Sequence, residues 1–379
     1  DLRDSGHVEL TASAATHGLL PLLMRVPESV QAQVRLGIRQ HVQCFGRMPR
    51  GFWLPECAYA PSIGQILKRE GIDWTLVEEH GLTTAPQASA LFPFTPGVTP
   101  EGLVVFGRDQ ASSSEIWNAD EGFPGDERYR DFFRDIGLEA PIEYLREYLG
   151  ETGQRQFTGI KYYRLAREDD QSLAYDPELA SRAIEEHSVR FIASRGAQLA
   201  ALESEGVENP LVVCAFDADL FGHWWYEGTE FLERIFRKGA QRSDFSFTTP
   251  GLHLAASQGA EFPTAAPVSS SWGEGGYFET WTSEENNWTH EEIQRRAEQL
   301  ARFVKLYEDN RIGMPEAAST HRQRCIELMT KELLLAQSSD WPFLMKNEPS
   351  REYAERRTRE HLDRFDRVWS VSARAEGGS

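Results

Sequence analysis

Short apolar segments that alternate with longer helical patterns limit the fold of this sequence more than any other feature. They fill the first two-thirds of the chain and are bounded by Gly, Pro and charged residues. The clearest segment, residues 211–216 (LVVCAF), is apolar throughout, as expected of a strand that is covered on both faces. It follows residues 177–205, whose Ala, Glu, Leu and Arg content predicts a helix. A strand that follows a helix at this spacing predicts a parallel α/β sheet or barrel.

Four further segments have the composition of strands: residues 8–10, 51–54, 74–77 and 103–106. Between the last two lie residues 82–102, which hold four prolines and show little periodicity. We predict a loop there, and long loops inside compact domains are often functional.

The pattern changes to helix from Thr289 onward. Thr289 and Glu292 have the spacing of a capping box, so a helix is predicted to begin there. Two further helices are predicted at residues 321–338 and 350–371. We therefore predict an α/β catalytic domain with loop and helical insertions at residues 1–270, and an α-helical domain at residues 271–379.

The charge of the chain excludes several classes of partner. It has 40 Lys and Arg against 59 Asp and Glu, a net charge of −19. Nucleic acids and anionic membranes would be repelled, so neither is expected as a partner. No apolar run approaches the roughly 18 residues of a membrane span. The four cysteines form no CxxC pair, which predicts free thiols and a cytoplasmic location.

Two carboxylates at predicted strand ends are the first candidates for chemistry. Glu56 follows an apolar strand and comes directly after Pro55, which cannot continue a central strand. Asp217 ends the strand at residues 211–216. The catalytic groups of parallel α/β barrels lie at the carboxyl ends of the strands. Two carboxylates among aromatic residues are typical of a glycosidase active site. A helix cap or a salt-bridged strand end is the alternative interpretation of each carboxylate taken alone.

Other catalytic sites have weaker support. Asp217, Asp219 and His223 could together bind a metal ion, although such spacings are frequent by chance. No G-x-S-x-G motif is present, and residues 273–276 (GEGG) lack the Lys of a phosphate-binding loop. We predict an enzyme without metal or other cofactor.

Ten tryptophans are the second indication of function. Many lie beside Gly, Asp, Asn or Ser, which favours exposed rings on which the CH faces of sugars can stack. A core position is the more common explanation for any single Trp, but the set as a whole favours a saccharide groove.

Together these segments resemble glycoside hydrolase family 57, and specifically its 1,4-α-glucan branching enzymes. The segments that carry the resemblance, in chain order, are residues 6–11 (GHVELT), 15–18 (ATHG), 51–59 (GFWLPECAY), 216–225 (FDADLFGHWW), 271–276 (SWGEGG) and 338–343 (SSDWPF). They span nearly the whole chain in the order found in the family.

The resemblance implies an incomplete (β/α)7 barrel with a C-terminal helical domain and a retaining mechanism that uses no metal. Glu56 would be the nucleophile and Asp217 the general acid/base. Five residues would line the active-site cleft: Glu9, His17, Asp219, His223 and Asp340. Three tryptophans would hold the α-glucan: Trp117, Trp272 and Trp281.

The sequence departs from the family pattern in three places. The first conserved region, a His-x-Pro stretch on the first strand, is missing, so we expect a companion N-terminal segment of the same barrel as a partner. Asp219 stands where the family's branching enzymes carry Glu, which shortens a carboxylate of the cleft. The loop at residues 82–102 looks shorter than in those enzymes and lacks the Tyr that transfer requires.

These departures leave alternatives to branching open. An α-amylase or 4-α-glucanotransferase of the same family would use the same carboxylates with another acceptor. A non-catalytic protein would bind glucan through the same tryptophans but would have no enzymatic activity. A metal-dependent deacetylase on a related barrel is a further alternative, and chelators would inhibit it.

Overall fold

The parallel sheet predicted from the sequence is present at the start of the chain. The computed structural model describes residues 2–117, 122–149, 153–165, 173–347 and 350–374. The strands are β1 (Ala12–Ser13), β2 (Gly51–Trp53), β3 (Trp74–Glu78), β4 (Gly97–Val98) and β5 (Val104–Arg108), and they form one sheet in the order β1-β2-β3-β5-β4. β1, β2 and β3 are parallel, with Ala12 beside Phe52 and Gly51 beside Trp74, whereas β4 and β5 are antiparallel.

Helices make up most of the remaining regular structure. In the first half of the chain they are α1 (Leu20–Leu23), α2 (Pro27–Phe45), α3 (Pro61–Arg69), α4 (Glu79–Thr83), α5 (Gln110–Trp117), α6 (Ile136–Glu139) and α7 (Ile142–Leu145). In the second half they are α8 (Pro177–Ser204), α9 (Gly228–Gly239), α10 (Pro250–Ala256), α11 (Trp288–Asn310), α12 (Glu316–Ala336), α13 (Asp340–Lys346) and α14 (Arg351–Arg374). The fold is thus α/β with a largely helical C-terminal region. Among the residues described above, no helix is both long enough and apolar enough to cross a membrane.

The chain divides into two compact units, which differ from the predicted division at residue 270. The first contains the described residues of 1–107 and 249–379, and the second those of 108–248. The C-terminal helices belong to the first unit because their apolar faces join its core. Phe303 of α11, Leu333 of α12 and Phe365 of α14 are buried in one cluster with Val34 of α2 and Phe52 of β2.

Helix α2 shows how the first unit is assembled around its sheet. Pro27 occupies its first turn, and Gly46 ends it in the left-handed conformation with φ of 74°. Gly37 lies against β1 so closely that a Cβ there would be 1.9 Å from the carbonyl oxygen of Ser13. This approach brings the helix onto the sheet and leaves no room for a side chain.

The second unit has its own core, built mainly by α8 and α9. Ile184 and Phe191 of α8 meet Phe231 and Ile235 of α9, and Trp225 packs among them. Helix α8 begins where the sequence predicts it, and Asp176 caps it by accepting hydrogen bonds from the amides of Glu178 and Leu179.

Three local predictions were wrong, and the loop predicted at residues 82–102 contains the short strand β4. The first strand lies at β1 rather than at residues 8–10. Residues 211–216 make one parallel bridge, between Val213 and Arg108, and no strand. Thr289 is not a helix cap, because α11 begins one residue earlier and the Thr289 hydroxyl donates to the carbonyl of Asn286.

Candidate active site

Glu56 lies just beyond the carboxyl end of β2, in a turn of unusual backbone conformation. Glu56 and Cys57 both have positive φ, 61° and 50°, a region that L-residues rarely occupy. The turn is closed by two backbone hydrogen bonds, from Cys57 N to the carbonyl of Leu54 (2.9 Å) and from Ala58 N to the carbonyl of Pro55 (3.0 Å). Such backbone strain costs about 1–3 kcal/mol per residue and is concentrated at functional sites.

The carboxylate of Glu56 is buried, with 9% of the residue exposed, and each of its oxygens accepts a hydrogen bond. The indole Nε1 of Trp272 donates to Oε2 at 2.7 Å, and the hydroxyl of Ser339 donates to Oε1 at 2.6 Å. The backbone amide of Trp272 also donates to the carbonyl of Glu56 at 3.0 Å. Two donors on two oxygens fix the plane in which the carboxylate lies.

A cavity of about 590 Å³ lies beside this turn. Its walls are Ser13, Ala14, Ala15, Thr16, His17, Trp53, Leu335, Ser338, Asp340 and Trp341. This size is within the range of small-molecule sites, and aromatic walls with a few polar groups are typical of them. Ser339, which holds Glu56, lies in the chain between two residues of the wall, Ser338 and Asp340. Glu56 itself is not in the cavity wall, and the hydroxyl of Ser339 links its carboxylate to that part of the wall.

His17 and Asp340, two of the predicted cleft residues, lie in this wall. His17 has a positive φ of 54°, and its carbonyl accepts a hydrogen bond from the amide of Ser339 at 2.9 Å. Asp340 begins α13, and its Oδ2 accepts a hydrogen bond from the hydroxyl of Ser338 at 2.8 Å. The turn after β1 and the start of α13 are thus tied together at the site.

Glu9 lies at the other end of the sheet. Its Oε2 accepts a hydrogen bond from the amide of Gly251 at the start of α10 (2.7 Å), and its Oε1 accepts one from the indole of Trp74 (3.3 Å). Trp74 begins β3 and Glu9 precedes β1, so both mark the amino ends of parallel strands. Glu56 follows a carboxyl end, and the structure does not bring Glu9 to it.

Trp281 is a core residue in this structure, with only 2% of its surface exposed. It forms a small apolar cluster with Leu19 and Ala58, against which the half-buried Trp272 packs. Its ring is not an exposed face for a sugar. It belongs to the cluster against which Trp272 packs.

The second unit contains the other predicted site residues. Asp217 is half-buried and follows residues 211–216, which run beside Arg108. The Arg108 side chain donates to the carbonyl of Ala215 at 3.2 Å, two residues before Asp217. Asp219 is exposed in the short 3-10 turn that follows, and Trp117 is 42% exposed at the end of α5.

Four aromatic residues form a surface patch near Asp219, which we call the aromatic platform: Phe132, Phe133, His223 and Trp224. Trp224 stacks on Phe132 with ring centroids 4.2 Å apart, and the His223 ring meets Phe132 edge-on at 5.1 Å. Phe133 and Trp224 are 67% and 47% exposed. The amide of Trp224 donates to the carbonyl of Asp219 at 3.4 Å, so the platform is joined to the segment that carries Asp217.

The metal alternative finds no support in these positions. Within the described part of the chain, no three His, Cys, Asp or Glu side chains are grouped closely enough to hold a metal ion.

Sequence reasoning did not single out four residues of these surroundings: Phe132, Phe133, Trp53 and Ser339. Trp53 and Ser339 lie inside segments that carry the family resemblance, within three residues of a predicted site residue, so proximity in the chain was the available signal for them. Phe132 and Phe133 lie outside those segments, and no sequence signal marks them.

Profiles of known families match both parts of the chain. The profile of glycosyl hydrolase family 57 matches residues 1–258, and one described as 1,4-alpha-glucan branching enzyme, C-terminal, matches residues 293–376. The chain is 32% identical to 1,4-alpha-glucan branching enzyme TK1436 of Thermococcus kodakarensis, over 97% of this chain and 54% of that protein. It thus spans about half the length of this curated relative.

Two solved structures are similar over nearly the whole chain. One is the α-amylase AmyC from Thermotoga maritima, with a TM-score of 0.86 and 33% identity over 98% of this chain and 69% of that one. The other is a GH57-type branching enzyme from Pyrococcus horikoshii, with a TM-score of 0.80 and 33% identity over 97% of this chain and 65% of that one.

Proposed function

Because the chain belongs to glycosyl hydrolase family 57, we propose that it is a retaining, α-glucan-active enzyme of the 1,4-α-glucan branching type. The observation that supports this most is the carboxylate of Glu56. It is buried beside a cavity with two Trp walls, and a hydrogen-bond donor holds each of its oxygens. We extend the proposal to the fold, in which the sheet would be part of an incomplete (β/α)7 barrel.

In the first step, Glu56 attacks the anomeric carbon of a glucosyl unit and forms a carbon–oxygen bond to it. The glycosidic bond breaks as Asp217 gives its proton to the departing oxygen. The product is a covalent glucosyl-enzyme, and the leaving chain departs with a free 4-hydroxyl.

In the second step, Asp217 takes a proton from the acceptor, whose oxygen displaces Glu56. A 6-hydroxyl of another glucan chain as acceptor gives a branch. A 4-hydroxyl gives disproportionation, and water gives hydrolysis. The acceptor that is held best therefore decides the reaction.

The remaining site residues would bind the α-glucan. His17 and Asp340 offer polar groups in the cavity, and Trp53 and Trp341 offer rings. In the second unit, the exposed rings of Trp117 and of the aromatic platform, together with Asp219, offer a further surface for sugar.

Chemical rescue tests the two carboxylate roles separately. α-Glucosyl fluoride, whose leaving group needs no acid, is incubated with azide and either Glu56→Ala or Asp217→Ala. Without Glu56, azide attacks the anomeric carbon directly, so we expect β-glucosyl azide. Without Asp217, azide displaces the Glu56 adduct, so we expect α-glucosyl azide. The absence of azide products, or the same anomer from both variants, would contradict the assignment.

Hydrolysis is the second candidate function, and two observations favour it. The chain resembles the α-amylase AmyC as well as branching enzymes. The loop at residues 82–102 has no Tyr, and its Phe92 is buried in the core of the first unit. Incubation with amylose separates the two functions. A branching enzyme produces α-1,6 linkages at a constant number of reducing ends, and an amylase produces reducing ends alone.

A further inference from the structure

We propose that Trp272 and Ser339 are positioning residues for Glu56, and that Trp272 acts through its indole N–H and not as a surface for sugar. Their two hydrogen bonds hold the carboxylate in the orientation from which it attacks. This inference rests on the proposed role of Glu56 as the nucleophile.

The two donors reach Glu56 from distant parts of the chain. Trp272 is 216 residues and Ser339 is 283 residues from Glu56 in sequence, yet each donates to a different oxygen of the same carboxylate. A Glu side chain has three rotatable bonds, so without such contacts its carboxylate would sample several orientations. With one donor on each oxygen, a single orientation satisfies both hydrogen bonds.

The hydroxyl of Ser339 makes a hydrogen bond to Glu56 and does not cap the helix that follows it. Ser339 precedes α13 as the N-cap residue, where a serine oxygen ordinarily accepts a backbone N–H and contributes about 1 kcal/mol. Here the side chain makes no capping hydrogen bond, and its hydroxyl donates to Glu56. The residue is 1% exposed, so water is not an alternative partner for the hydroxyl.

Trp272 is held in a way that suits a donor better than a stacking surface. Both of its N–H groups contact Glu56, the indole on the carboxylate and the backbone amide on the carbonyl. The side chain packs against the apolar cluster that contains Trp281. The ring also meets Trp53, with centroids 5.1 Å apart and planes inclined by 56°. These contacts fix where the indole N–H points.

Positioning matters here because attack requires near contact between the carboxylate oxygen and the anomeric carbon. A misplacement of about 1 Å can cost roughly 100-fold in rate. The left-handed backbone at Glu56 and Cys57 gives the side chain its direction, and the two donors fix its last torsion. Loss of either donor should therefore slow the attack while sugar binding stays the same.

The test uses Trp272→Phe, which keeps a ring and removes the N–H, and Ser339→Ala. Single-turnover fluoride release from α-glucosyl fluoride reports attack by Glu56, as the C–F bond breaks and the Glu56 ester forms. For each variant we expect the rate constant at saturation to fall about 10- to 100-fold, and the apparent Kd to stay within about threefold. Trp288→Phe and Ser188→Ala are the matched controls, because they remove an indole N–H and a buried hydroxyl elsewhere, and they should keep the wild-type rate.

The outcomes separate this inference from the proposed function. A raised Kd with an unchanged rate constant for Trp272→Phe would overturn the positioning role and favour stacking. Rate constants within threefold of wild type for both variants would overturn the inference as a whole. A fall in urea midpoint with a normal rate for the folded fraction would also overturn it, since that is the signature of a purely structural role. Failure of Glu56→Ala to give β-glucosyl azide would instead remove the proposed nucleophile itself.

Discussion

At the scale of single residues, tryptophans with similar sequence contexts have different roles in the structure. Trp272 and Trp281 are both flanked by Gly or small polar residues, which is the pattern taken to indicate exposed rings. Trp281 is nevertheless buried in an apolar cluster, and the half-buried Trp272 donates to Glu56. The residues that flank a Trp indicate the local backbone conformation and not the exposure of its side chain. Contacts with segments far away in the chain decide whether the ring itself is covered, and sequence alone does not give those contacts.

This difference predicts opposite effects for two substitutions. Trp224→Ala removes a half-exposed ring of the aromatic platform, so glucan affinity should fall by about 1–2 kcal/mol and stability should change by less than about 1 kcal/mol. Trp281→Phe shrinks a fully buried ring, so the free energy of unfolding should fall by about 2 kcal/mol with little change in affinity. Isothermal titration with a maltooligosaccharide and urea unfolding measure the two quantities.

Each of these variants is the control for the other. If Trp281→Phe weakened binding while its unfolding free energy stayed at the wild-type value, a sugar-holding role for Trp281 would be restored. If Trp224→Ala bound glucan as tightly as the wild type, the aromatic platform would not be part of the glucan site.

At the scale of elements, the sequence predicted those strands and helices whose local pattern and long-range packing agree. β2, β3, β5 and α8 lie within a residue or two of their predicted positions. Residues 211–216 do not form a strand, although they are the longest wholly apolar run among the candidates. An apolar run predicts burial, but none of residues 211–216 is fully buried here. Their backbone pairing is limited to the bridge between Val213 and Arg108, and the Arg108 side chain donates to the carbonyl of Ala215.

The contact between α2 and β1 predicts an unusual cost for a Gly-to-Ala change. Alanine normally stabilises a helix by about 0.5–1 kcal/mol relative to glycine. In Gly37→Ala the new methyl would lie 1.9 Å from the carbonyl oxygen of Ser13, which is backbone and cannot move without displacing β1. We expect a loss of about 2–3 kcal/mol in the free energy of unfolding. Activity should fall as well, because Ser13 is in the cavity wall.

Gly196→Ala in α8 is a matched control for this prediction. The added methyl there would meet the Nη2 of Arg242 at 2.7 Å, and that atom is the far end of a flexible side chain. Its unfolding free energy should therefore stay within about 1 kcal/mol of wild type. Similar urea midpoints for the two variants would show that the helix and β1 are not in close contact at Gly37.

At the scale of the whole molecule, the sequence predicted the class of fold but not the grouping of its parts. The amphipathic pattern of the C-terminal helices predicts that each helix buries one face, but it does not identify the element against which that face packs. In the structure α11, α12 and α14 complete a core begun by α2 and β2. The compact units follow this packing, whereas the predicted boundary at residue 270 follows the change from a mixed to a helical pattern. The site residues also show what sequence motifs leave out. Glu56 and Asp340 were both predicted from motifs, but only the folded structure shows that Ser339, next to Asp340 in the chain, donates a hydrogen bond to Glu56.

Histidines distributed over both units predict how stability depends on pH. Burial lowers the pKa of His41, His187, His253 and His290 below the ordinary value of 6.5. The folded protein then keeps these rings neutral at a pH where the unfolded chain binds protons. The free energy of unfolding therefore has its full value well above pH 6.5 and decreases as the pH falls through 6.5 and below. Each such group contributes at most about 1.4 kcal/mol per pH unit. Urea unfolding at pH 7.5, 6.5 and 5.5 measures the slope.

His187 allows this prediction to be tested at one residue. Burial lowers its pKa, although the nearby charge of Asp126 acts in the opposite direction. Its Nδ1 is 2.7 Å from the hydroxyl of Tyr129, and its ring stacks on Phe123. His187→Gln keeps a polar group that can accept the Tyr129 hydrogen bond, but it does not titrate. The variant should therefore lose stability less steeply than the wild type between pH 6.5 and 5.5. An equal slope would show that His187 is protonated alike in both states. A wild-type stability that rises toward pH 5.5 would contradict the sign derived for the whole set.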